Sequence, residues 1–326
     1  MLPAAAGKGV EMNYQWYPGH MTKAKRAMQE DIRLIDLIIE LVDARMPLGS
    51  RNPDIDSLGK QKARLVLLNK ADLADPAVNR EWIGWFEKQG VKALEINAQT
   101  GQGMKQIQNA VREVCSLKIE RDRKRGIRNR PVRAMVAGIP NVGKSTFINS
   151  FAGKACTRTG NRPGVTKGKQ WIRLNKELEL LDTPGILWPK FEDQQVGMHL
   201  AFIGSMNDEI IVMEELALSL IEFMQEYYPH SLMERYGCEG GSEPVQVLEA
   251  AAMRRGCIKK GGEADLSRAS SLIMEDFRSG RLGRVSLERP PAYADGIGEN
   301  KARNGAQAPE NARTEKSQMQ EEGVIK

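Results

Sequence analysis

The sequence predicts an α/β fold in which a mostly parallel sheet carries helices on both faces, followed by an all-helical part. Short apolar runs, typical of buried parallel strands, alternate with helix-like segments from about residue 22 onward. The segments that connect them are short, which favours strand–helix–strand units. After about residue 194 the strand-like runs disappear and only helical patterns remain.

Apolar runs and helix signals place the individual elements. Leu34–Val42 is nearly continuous in apolar residues and ends before a turn-like Met46–Gly49. The predicted strands are Leu34–Val42, Arg64–Leu68, Ala93–Ile96, Ala134–Ala137 and Leu178–Leu181. Capping residues, an initial proline or a 3.6-residue period predict helices at Thr22–Arg33, Pro76–Gln89, Met104–Ile119, Gln195–Met206, Glu214–Tyr228, Pro244–Arg255 and Glu263–Ser279.

Composition excludes several classes of protein. The 326 residues hold 41% hydrophobic and 28% charged residues, which is typical of a globular chain and not of a fibrous or wholly disordered one. The four cysteines form no C-x-x-C pair and there are three histidines, so we expect no zinc site. No apolar run approaches the length of a membrane span, and we expect a cytoplasmic protein without a membrane partner.

The formal net charge is +6, and the basic residues concentrate in one segment. Lys118–Arg133 holds eight basic and two acidic residues between a predicted helix and a predicted strand. Two interpretations stay open at this point. The segment is either a solvated helix end and linker or a surface that contacts a phosphate backbone.

A phosphate-binding loop follows the strand Ala134–Ala137. Gly138–Ser145 reads G-I-P-N-V-G-K-S, which fits G-x-x-x-x-G-K-[ST], and a helix-like segment follows it. The glycines let backbone N–H groups approach phosphate closely. Lys144 then reaches the β- and γ-phosphates of a nucleotide, and the Ser145 hydroxyl holds Mg²⁺.

Two further strand ends carry nucleotide signals. Asp182 begins D-T-P-G after Leu178–Leu181, the position of an aspartate that holds Mg²⁺ through water, and Gly185 leaves its N–H free for a γ-phosphate. Asn69–Asp72 reads N-K-A-D after another strand. The carboxylate of Asp72 can accept from the ring N1–H and the exocyclic amine of guanine, donors that adenine lacks.

The order of these motifs along the chain is unusual. In most GTPases the phosphate loop comes first and N-K-x-D later, whereas here Asn69–Asp72 and a base-loop candidate, Asn97–Gln99, precede the phosphate loop. The whole pattern resembles the circularly permuted GTPases from about residue 13 to residue 285. Further matching stretches are Trp16–Met21, Val42–Pro47, Arg51–Pro53, Arg162–Thr166 and Tyr227–Pro229.

The resemblance implies roles for individual residues and implies Mg²⁺ as the cofactor. Guanine is read and covered by Asn69, Lys70, Ala71, Asp72, Asn97 and Ala98. The phosphates are held by Asn141, Val142, Gly143, Lys144, Ser145, Thr146 and Gly185. The metal ligands are Ser145, the switch threonine Thr166 and Asp182. The catalytic residues are His20, Lys144 and Thr166.

Two of these roles have a competing explanation. Ile186 stands where many GTPases place a water-orienting glutamine, so His20 is the candidate that the resemblance offers for this task; alternatively, His20 only packs or caps a turn beside Tyr17. Asn141 either helps to hold K⁺ near the phosphates or satisfies backbone groups of its own loop.

The resemblance also implies an organisation and a cellular role. We expect a flexible N-terminus over residues 1–11, a circularly permuted P-loop GTPase domain over 12–190, a helical RNA-binding domain over 195–285 and a disordered tail over 286–326. The implied function is that of a monomeric, cytoplasmic GTPase that acts late in maturation of the large ribosomal subunit. It would bind GTP or GDP and ribosomal RNA, with no DNA partner, and hydrolysis would release it from the subunit precursor.

Three alternatives remain. The first is a GTP-dependent switch that acts on a protein or membrane partner without RNA. The second is a permuted GTPase of the small ribosomal subunit. Some of those carry an OB domain before the GTPase and a zinc module after it, whereas here only about 20 residues precede the first predicted helix and the sequence has no Cys/His cluster, which disfavours this alternative. The third is an RNA-binding protein with a vestigial site, which conflicts with intact Asp72, Lys144, Ser145 and Asp182.

Overall fold

The computed structural model describes residues 29–127, 130–153, 170–182 and 194–291. Residues 1–289 form one compact unit and residues 290–326 a second, of which two residues are described. The strands are β1 (Leu37–Asp43), β2 (Ala63–Asn69), β3 (Lys92–Glu95), β4 (Val132–Ala137), β5 (Gln170–Arg173) and β6 (Leu178–Asp182). The helices are α1 (Asp54–Leu58), α2 (Pro76–Lys88), α3 (Met104–Val114), α4 (Ser116–Lys124), α5 (Lys144–Ala152), α6 (Gln194–Phe202), α7 (Met213–Tyr227), α8 (Pro229–Tyr236), α9 (Pro244–Arg254) and α10 (Leu266–Arg278).

The six strands form one sheet in the order β3-β2-β1-β4-β6-β5. All neighbouring pairs are parallel except β5 with β6. Strand β1 lies between β2 and β4, with Leu37 opposite Ala63 and Ala134. The predicted class, a mostly parallel sheet with helices, is therefore confirmed.

Alternate residues of the central strands pack against different helices. Leu37, Ile39 and Leu41 of β1 share one buried cluster with residues of α3, α5 and the helices after residue 194. Val42 lies on the opposite face, beside Trp82 and Phe86 of α2. The helical part thus shares a hydrophobic core with one face of the sheet. Among the described residues, no helix is long and apolar enough to cross a membrane.

The structure differs from the sequence-based expectation in several elements. The run predicted as one strand over Leu34–Val42 begins as the end of a helix, because residues 29–34 are helical and β1 starts at Leu37. The helix predicted at Met104–Ile119 is interrupted at Cys115, where the backbone leaves helical geometry at φ −99° and ψ 8°. Strand β5 and the helices α1 and α8 were not predicted. The helix expected at Thr22–Arg33 falls partly outside the described residues.

The basic segment Lys118–Arg133 is also more structured than a linker, because it begins within α4 and ends within β4. Lys118 pairs with Asp36 and Asp122 at 3.2 Å and 3.1 Å, and Arg133 lies over the Trp171 ring. Among its basic residues that the structure describes, four make ion pairs: Lys118, Lys124, Arg130 and Arg133.

The first residues of the predicted tail belong to the compact unit. Val285, Ser286 and Leu287 are buried, and hydrogen bonds join this segment to residues near β1 and β2. The compact unit extends through Arg289, whereas the sequence placed the boundary before Ser286. Most of the predicted tail lies outside the described residues.

Candidate nucleotide-binding site

The parallel strands bring the predicted motifs to one edge of the sheet. Asp43 at the end of β1 lies opposite Asn69 at the end of β2, and Val136 near the end of β4 lies opposite Asp182 at the end of β6. Because these strands run in the same direction, their carboxyl ends share one edge whatever their order in the chain. The phosphate loop and N-K-A-D therefore meet, although about 70 residues separate them in the sequence.

The phosphate loop wraps closely against the strand ends. Asn141 and Gly143 adopt left-handed backbone conformations, with φ of 61° and 95°. A Cβ atom on Gly143 would lie 2.5 Å from the Asn69 Nδ2 atom, and one on Gly138 would lie 2.6 Å from the Leu41 carbonyl oxygen. Glycine is required at both positions by this close approach. Helix α5 then begins at Lys144 with its N-terminus at the loop.

The Lys144 ammonium lies inside this loop. Its side chain is buried, and Nζ donates to the carbonyl oxygens of Gly138 at 3.0 Å and Ile139 at 3.3 Å. The positive charge is thereby held beside the N-terminus of α5, where the helix dipole also attracts an anion. This arrangement fits the predicted contact with phosphate.

Asn69 joins three parts of the site through one side chain. Its Nδ2 donates to the Val142 carbonyl oxygen at 2.8 Å, and its Oδ1 accepts from the Ala98 N–H at 2.9 Å. Asn97 shapes the base-loop candidate, because its Oδ1 accepts from the N–H groups of Gln99 and Thr100. The predicted guanine, base-loop and phosphate residues are thus brought together.

Lys70 ties the N-K-A-D motif to the phosphate loop. It adopts a left-handed conformation with φ of 58°, and its Nζ donates to the Asn141 carbonyl oxygen at 2.9 Å. The same ammonium pairs with Asp43 at 3.0 Å. Asp72 follows in the short turn Ala71–Leu73, where its side chain is exposed.

Asp43 and Arg45 also lie at the candidate site, although the sequence analysis noted them only within the matching stretch Val42–Pro47 and gave them no role. Arg45 holds the Asp43 carboxylate with both Nε, at 2.9 Å, and Nη2, at 2.8 Å, and both side chains are buried. Burial by itself raises the pKa of Asp43, but Arg45 and Lys70 outweigh it and hold that pKa below its ordinary value. Burial lowers the pKa of Lys70, and Asp43 opposes that effect. The sequence signal for this ion pair is an acidic residue at the end of an apolar run, Asp43, with a basic residue, Arg45, two positions later.

Comparisons with known proteins agree with this geometry. The family model described as "50S ribosome-binding GTPase" matches residues 133–236. Ribosome biogenesis GTPase A of Bacillus cereus is 48% identical over 88% of this chain and 97% of its own length. The protein of the same name from Thermotoga maritima is 34% identical over 84% of this chain and 94% of its own length. The chain belongs to the ribosome biogenesis GTPase A family. It is therefore a GTPase, as its motifs predicted.

Solved structures of this family share the fold. YlqF of Thermotoga maritima, described as GNP-bound, has a TM-score of 0.59 and 31% sequence identity, and it covers 83% of this chain and 100% of its own. A GDP-bound structure of YlqF gives the same TM-score at 29% identity, and it covers 82% of this chain and 100% of its own. This chain therefore shares the fold of proteins whose structures are described as nucleotide-bound.

The oxygen donors of the GTPase site fit the Mg²⁺ that nucleotide hydrolases of this type use. Ser145 is the second residue of α5, and Asp182 ends β6 beside β4, the strand that leads into the phosphate loop. Among the described residues, no group of three or more His, Cys, Asp or Glu could hold a metal by itself. Mg²⁺ characteristically takes one or two protein oxygens together with phosphates and water, so such a group is not needed. Thr166, Gly185 and the catalytic candidate His20 lie outside the described residues.

Asn141 connects the phosphate loop to the helical part of the molecule. Its side-chain Nδ2 donates to the Gly204 carbonyl oxygen, which follows α6, at 2.6 Å. The backbone carbonyl of Asn141 meanwhile accepts from Lys70. This residue therefore belongs to a chain of contacts between N-K-A-D, the phosphate loop and the helices.

Proposed function

We propose that this GTPase acts in late assembly of the large ribosomal subunit, binding ribosomal RNA in its GTP state and leaving after hydrolysis. The proposal rests mainly on the contacts of Asn69 in a chain of this family. The side chain of this N-K-A-D residue forms hydrogen bonds with both the phosphate loop and the base-loop candidate. Relatives named "Ribosome biogenesis GTPase A" match over nearly their whole length. A relative from Xenopus tropicalis, 32% identical over 84% of this chain and 94% of its own length, is named "Mitochondrial ribosome-associated GTPase 1".

Guanine is read by Asp72 and supported by Asn69, Lys70 and Ala98. The exposed carboxylate of Asp72 accepts from the ring N1–H and the exocyclic amine, whereas adenine would leave it without these donors. The Ala98 N–H donates to the Asn69 side chain, and this bond between the two loops supports a base bound between them. ATP is therefore expected to bind far more weakly than GTP.

The phosphates lie along residues 141–146, with Lys144 exchanging its contacts to loop carbonyls for contacts to phosphate oxygens. Ser145, Asp182 and Thr166 would hold Mg²⁺, which neutralises charge between the β- and γ-phosphates. Thr166 and Gly185 are proposed to become ordered against the γ-phosphate, which gives GTP and GDP states that a partner can distinguish.

We assign the orientation of the attacking water to His20, because Ile186 cannot form a hydrogen bond there. Substitution His20→Ala should leave the Kd for GTP within about twofold, since His20 is not assigned to nucleotide binding, and should remove ribosome-stimulated turnover, a loss of about 10²-fold or more for an acid–base residue. Unchanged stimulated turnover would reject this role.

Asn141 is the candidate residue for K⁺ dependence. Its side-chain Nδ2 donates to the Gly204 carbonyl oxygen at 2.6 Å, which fixes the amide group at the phosphate loop. Hydrolysis rates in matched KCl and NaCl buffers test this assignment. Equal rates would reject it.

Basic side chains on the surface are proposed to contact the ribosomal RNA backbone. Arg121, Arg123 and Arg125 at α4 are exposed, and none of them makes an ion pair with another described residue. Lys259 and Lys260 are exposed in the turn after α9. Contacts of this type position a protein on RNA without reading its sequence.

The decisive experiment is GTP hydrolysis by the purified protein with and without isolated large ribosomal subunits. We expect strong stimulation that is lost in Lys144→Ala, whose stability is checked separately by thermal unfolding. If GTP binds but large subunits do not stimulate hydrolysis, the proposed ribosomal function is wrong. The alternative, a GTP-dependent switch that acts on a protein or membrane partner, is then favoured. Binding to ribosomal RNA that weakens steeply with salt separates the two functions, because a protein partner predicts little salt dependence.

A further inference from the structure

Residues 282–289, here called the C-terminal strap, run from the end of the helical part back to the segments that follow β1 and β2. Leu282, Val285, Ser286 and Leu287 of the strap are buried. The segment has no helical or strand periodicity, and the sequence placed its residues from Ser286 onward in a tail. Its order therefore comes from contacts with distant parts of the chain.

The strap holds the segment that directly follows Asp72. The Val285 N–H donates to the Leu73 carbonyl oxygen at 2.9 Å, and the Ser286 hydroxyl oxygen accepts from the Asp75 N–H at 3.1 Å. Just before the strap, Gly280 lies so close that a Cβ atom there would be 2.6 Å from the Leu73 side chain. Two backbone groups next to the guanine-reading residue are thus satisfied by the strap.

The strap also contacts the buried ion pair beneath the site. The Leu287 N–H donates to the Arg45 carbonyl oxygen at 2.7 Å. The Arg45 guanidinium lies 5.1 Å from the centre of the Phe277 ring on α10 and holds Asp43, which in turn holds Lys70. The N-K-A-D motif is therefore supported from both of its ends.

Further contacts fix the strap on its other sides, so it can act as a support. The Tyr228 hydroxyl accepts from the Ser286 N–H at 3.0 Å and donates to the Ser286 carbonyl oxygen at 3.2 Å. The Glu288 carboxylate accepts from the N–H groups of Leu48 and Gly49, and the Trp82 indole N–H donates to the Glu288 carbonyl oxygen at 3.3 Å.

The turn that carries Asp72 is held at its N-terminal side by bonds from the rest of the site. Within Ala71–Leu73, the Ala71 N–H donates to the Ile96 carbonyl oxygen and the Leu73 N–H to that of Lys70. The Ala71 carbonyl oxygen accepts from the Asn79 side chain at 3.3 Å. A carboxylate in such a short turn loses binding strength when its backbone moves, because both of its hydrogen bonds to a base depend on direction. Support on the C-terminal side of the turn comes from the strap.

We propose that the C-terminal strap is a positioning element for guanine recognition: it fixes the turn of Asp72 and so sets the preference of the site for guanine nucleotides. Asp72 touches the base, and Val285 and Ser286 act through it. The inference rests on the proposed role of Asp72 in reading guanine. It also gives the helical part, to which the strap is bonded through Tyr228, a direct connection to the base-reading loop.

The test compares nucleotide affinities of full-length variants. Ser286→Ala removes the acceptor for the Asp75 N–H, and Val285→Pro removes the donor to Leu73. Ser279→Ala is the matched control, since its hydroxyl donates only to carbonyl oxygens of α10 residues. The ligands are GDP, inosine diphosphate, which lacks the exocyclic amine, ADP and pyrophosphate, and thermal unfolding checks that each variant is folded.

We expect the Kd for GDP to rise about three- to tenfold in Ser286→Ala, the range that one hydrogen bond commonly contributes, and further in Val285→Pro. The Kd for inosine diphosphate should rise less, so the preference for GDP falls, while pyrophosphate affinity and the Ser279→Ala control stay unchanged. An unchanged GDP preference in Ser286→Ala overturns the inference even if Val285→Pro fails to fold. Equal weakening of all ligands overturns it as well, because it indicates general loosening. A wild-type protein that does not prefer GDP over ADP rejects the guanine role of Asp72 itself, which is a separate result.

Discussion

Asp43 supplies the negative charge that balances two cationic side chains of the candidate site. Its carboxylate is buried and carries both Arg45 and Lys70, and Lys70 reaches the phosphate loop at Asn141. The motifs of the sequence showed Lys70 and Asn141, because each belongs to a recognisable pattern. They did not show the ion pair beneath them, since pairing between strand ends depends on the sheet order.

Substitution Asp43→Asn should destabilise the protein by about 3–5 kcal/mol, because it leaves a buried guanidinium without its counter-ion. Asp56→Asn is the control: Asp56 also pairs with two arginines but is 56% exposed, and its loss should cost less than about 1 kcal/mol. Urea unfolding of the three proteins gives the comparison. Equal stability of the wild type and Asp43→Asn would contradict this view of the site.

The same carboxylate predicts a dependence of stability on pH. The folded protein holds the pKa of Asp43 below its unfolded value, so its contribution is full above that unfolded value, near 3.8, and is lost as the pH falls toward the folded value. The wild type should therefore lose more stability on acidification below pH 4 than Asp43→Asn does. Unfolding free energies at several acidic pH values measure this difference.

Among the secondary-structure elements, sequence periodicity identified those with a local signal in the sequence. It missed those whose conformation depends on contacts with distant residues. The strands β2, β3, β4 and β6 and the helix α2 follow from apolar runs and a proline at the helix start. Strand β5 has four residues at the edge of the sheet, and the strap has no period at all. Both owe their conformation to partners elsewhere in the chain, namely β6 for the strand and residues 45, 73 and 75 for the strap.

The strap carries a carboxyl group whose pKa is shifted in the opposite direction to that of Asp43. Burial raises the pKa of Glu288 to about 7, although the N–H groups of Leu48 and Gly49 oppose the shift. A group with a raised folded pKa contributes stability at low pH that is lost as the pH rises through the folded value. Between about pH 4.5 and 7, Glu288 should therefore lower the stability of the wild type progressively.

Glu288→Gln should remove this slope, since an amide keeps an acceptor for the two N–H groups and does not titrate. Comparing urea unfolding at pH 5 and pH 8, we expect the wild type to lose roughly 1–3 kcal/mol more than the variant. Glu81→Gln, which alters the exposed pair with Arg289, serves as the control and should follow the wild type. Parallel pH profiles for the wild type and Glu288→Gln would show that the Glu288 carboxyl does not titrate in this range.

For the whole molecule, the permuted order of motifs has a simple structural basis. Parallel strands present their carboxyl ends at one edge, so the site can be assembled from Asn69, Lys144 and Asp182 in any chain order. That much was predictable from the sequence. The connection of this edge to the helices was not, because it consists of single long-range contacts such as the Asn141 side chain on the Gly204 carbonyl.

These contacts, together with the shared hydrophobic core, predict that the sheet and the helices after residue 194 unfold together. All five tryptophans precede residue 194, so their fluorescence reports on the sheet part, while far-ultraviolet circular dichroism also reports on the helices after it. Both probes should give one coincident transition.

GDP at a hundred times its Kd should stabilise the sheet and the helices alike by about 2.7 kcal/mol, because the ligand binds only the folded state. Lys144→Ala should remove most of this shift. Two separate transitions, with only the fluorescence transition moved by GDP, would instead mean that the predicted domains 12–190 and 195–285 are energetically independent.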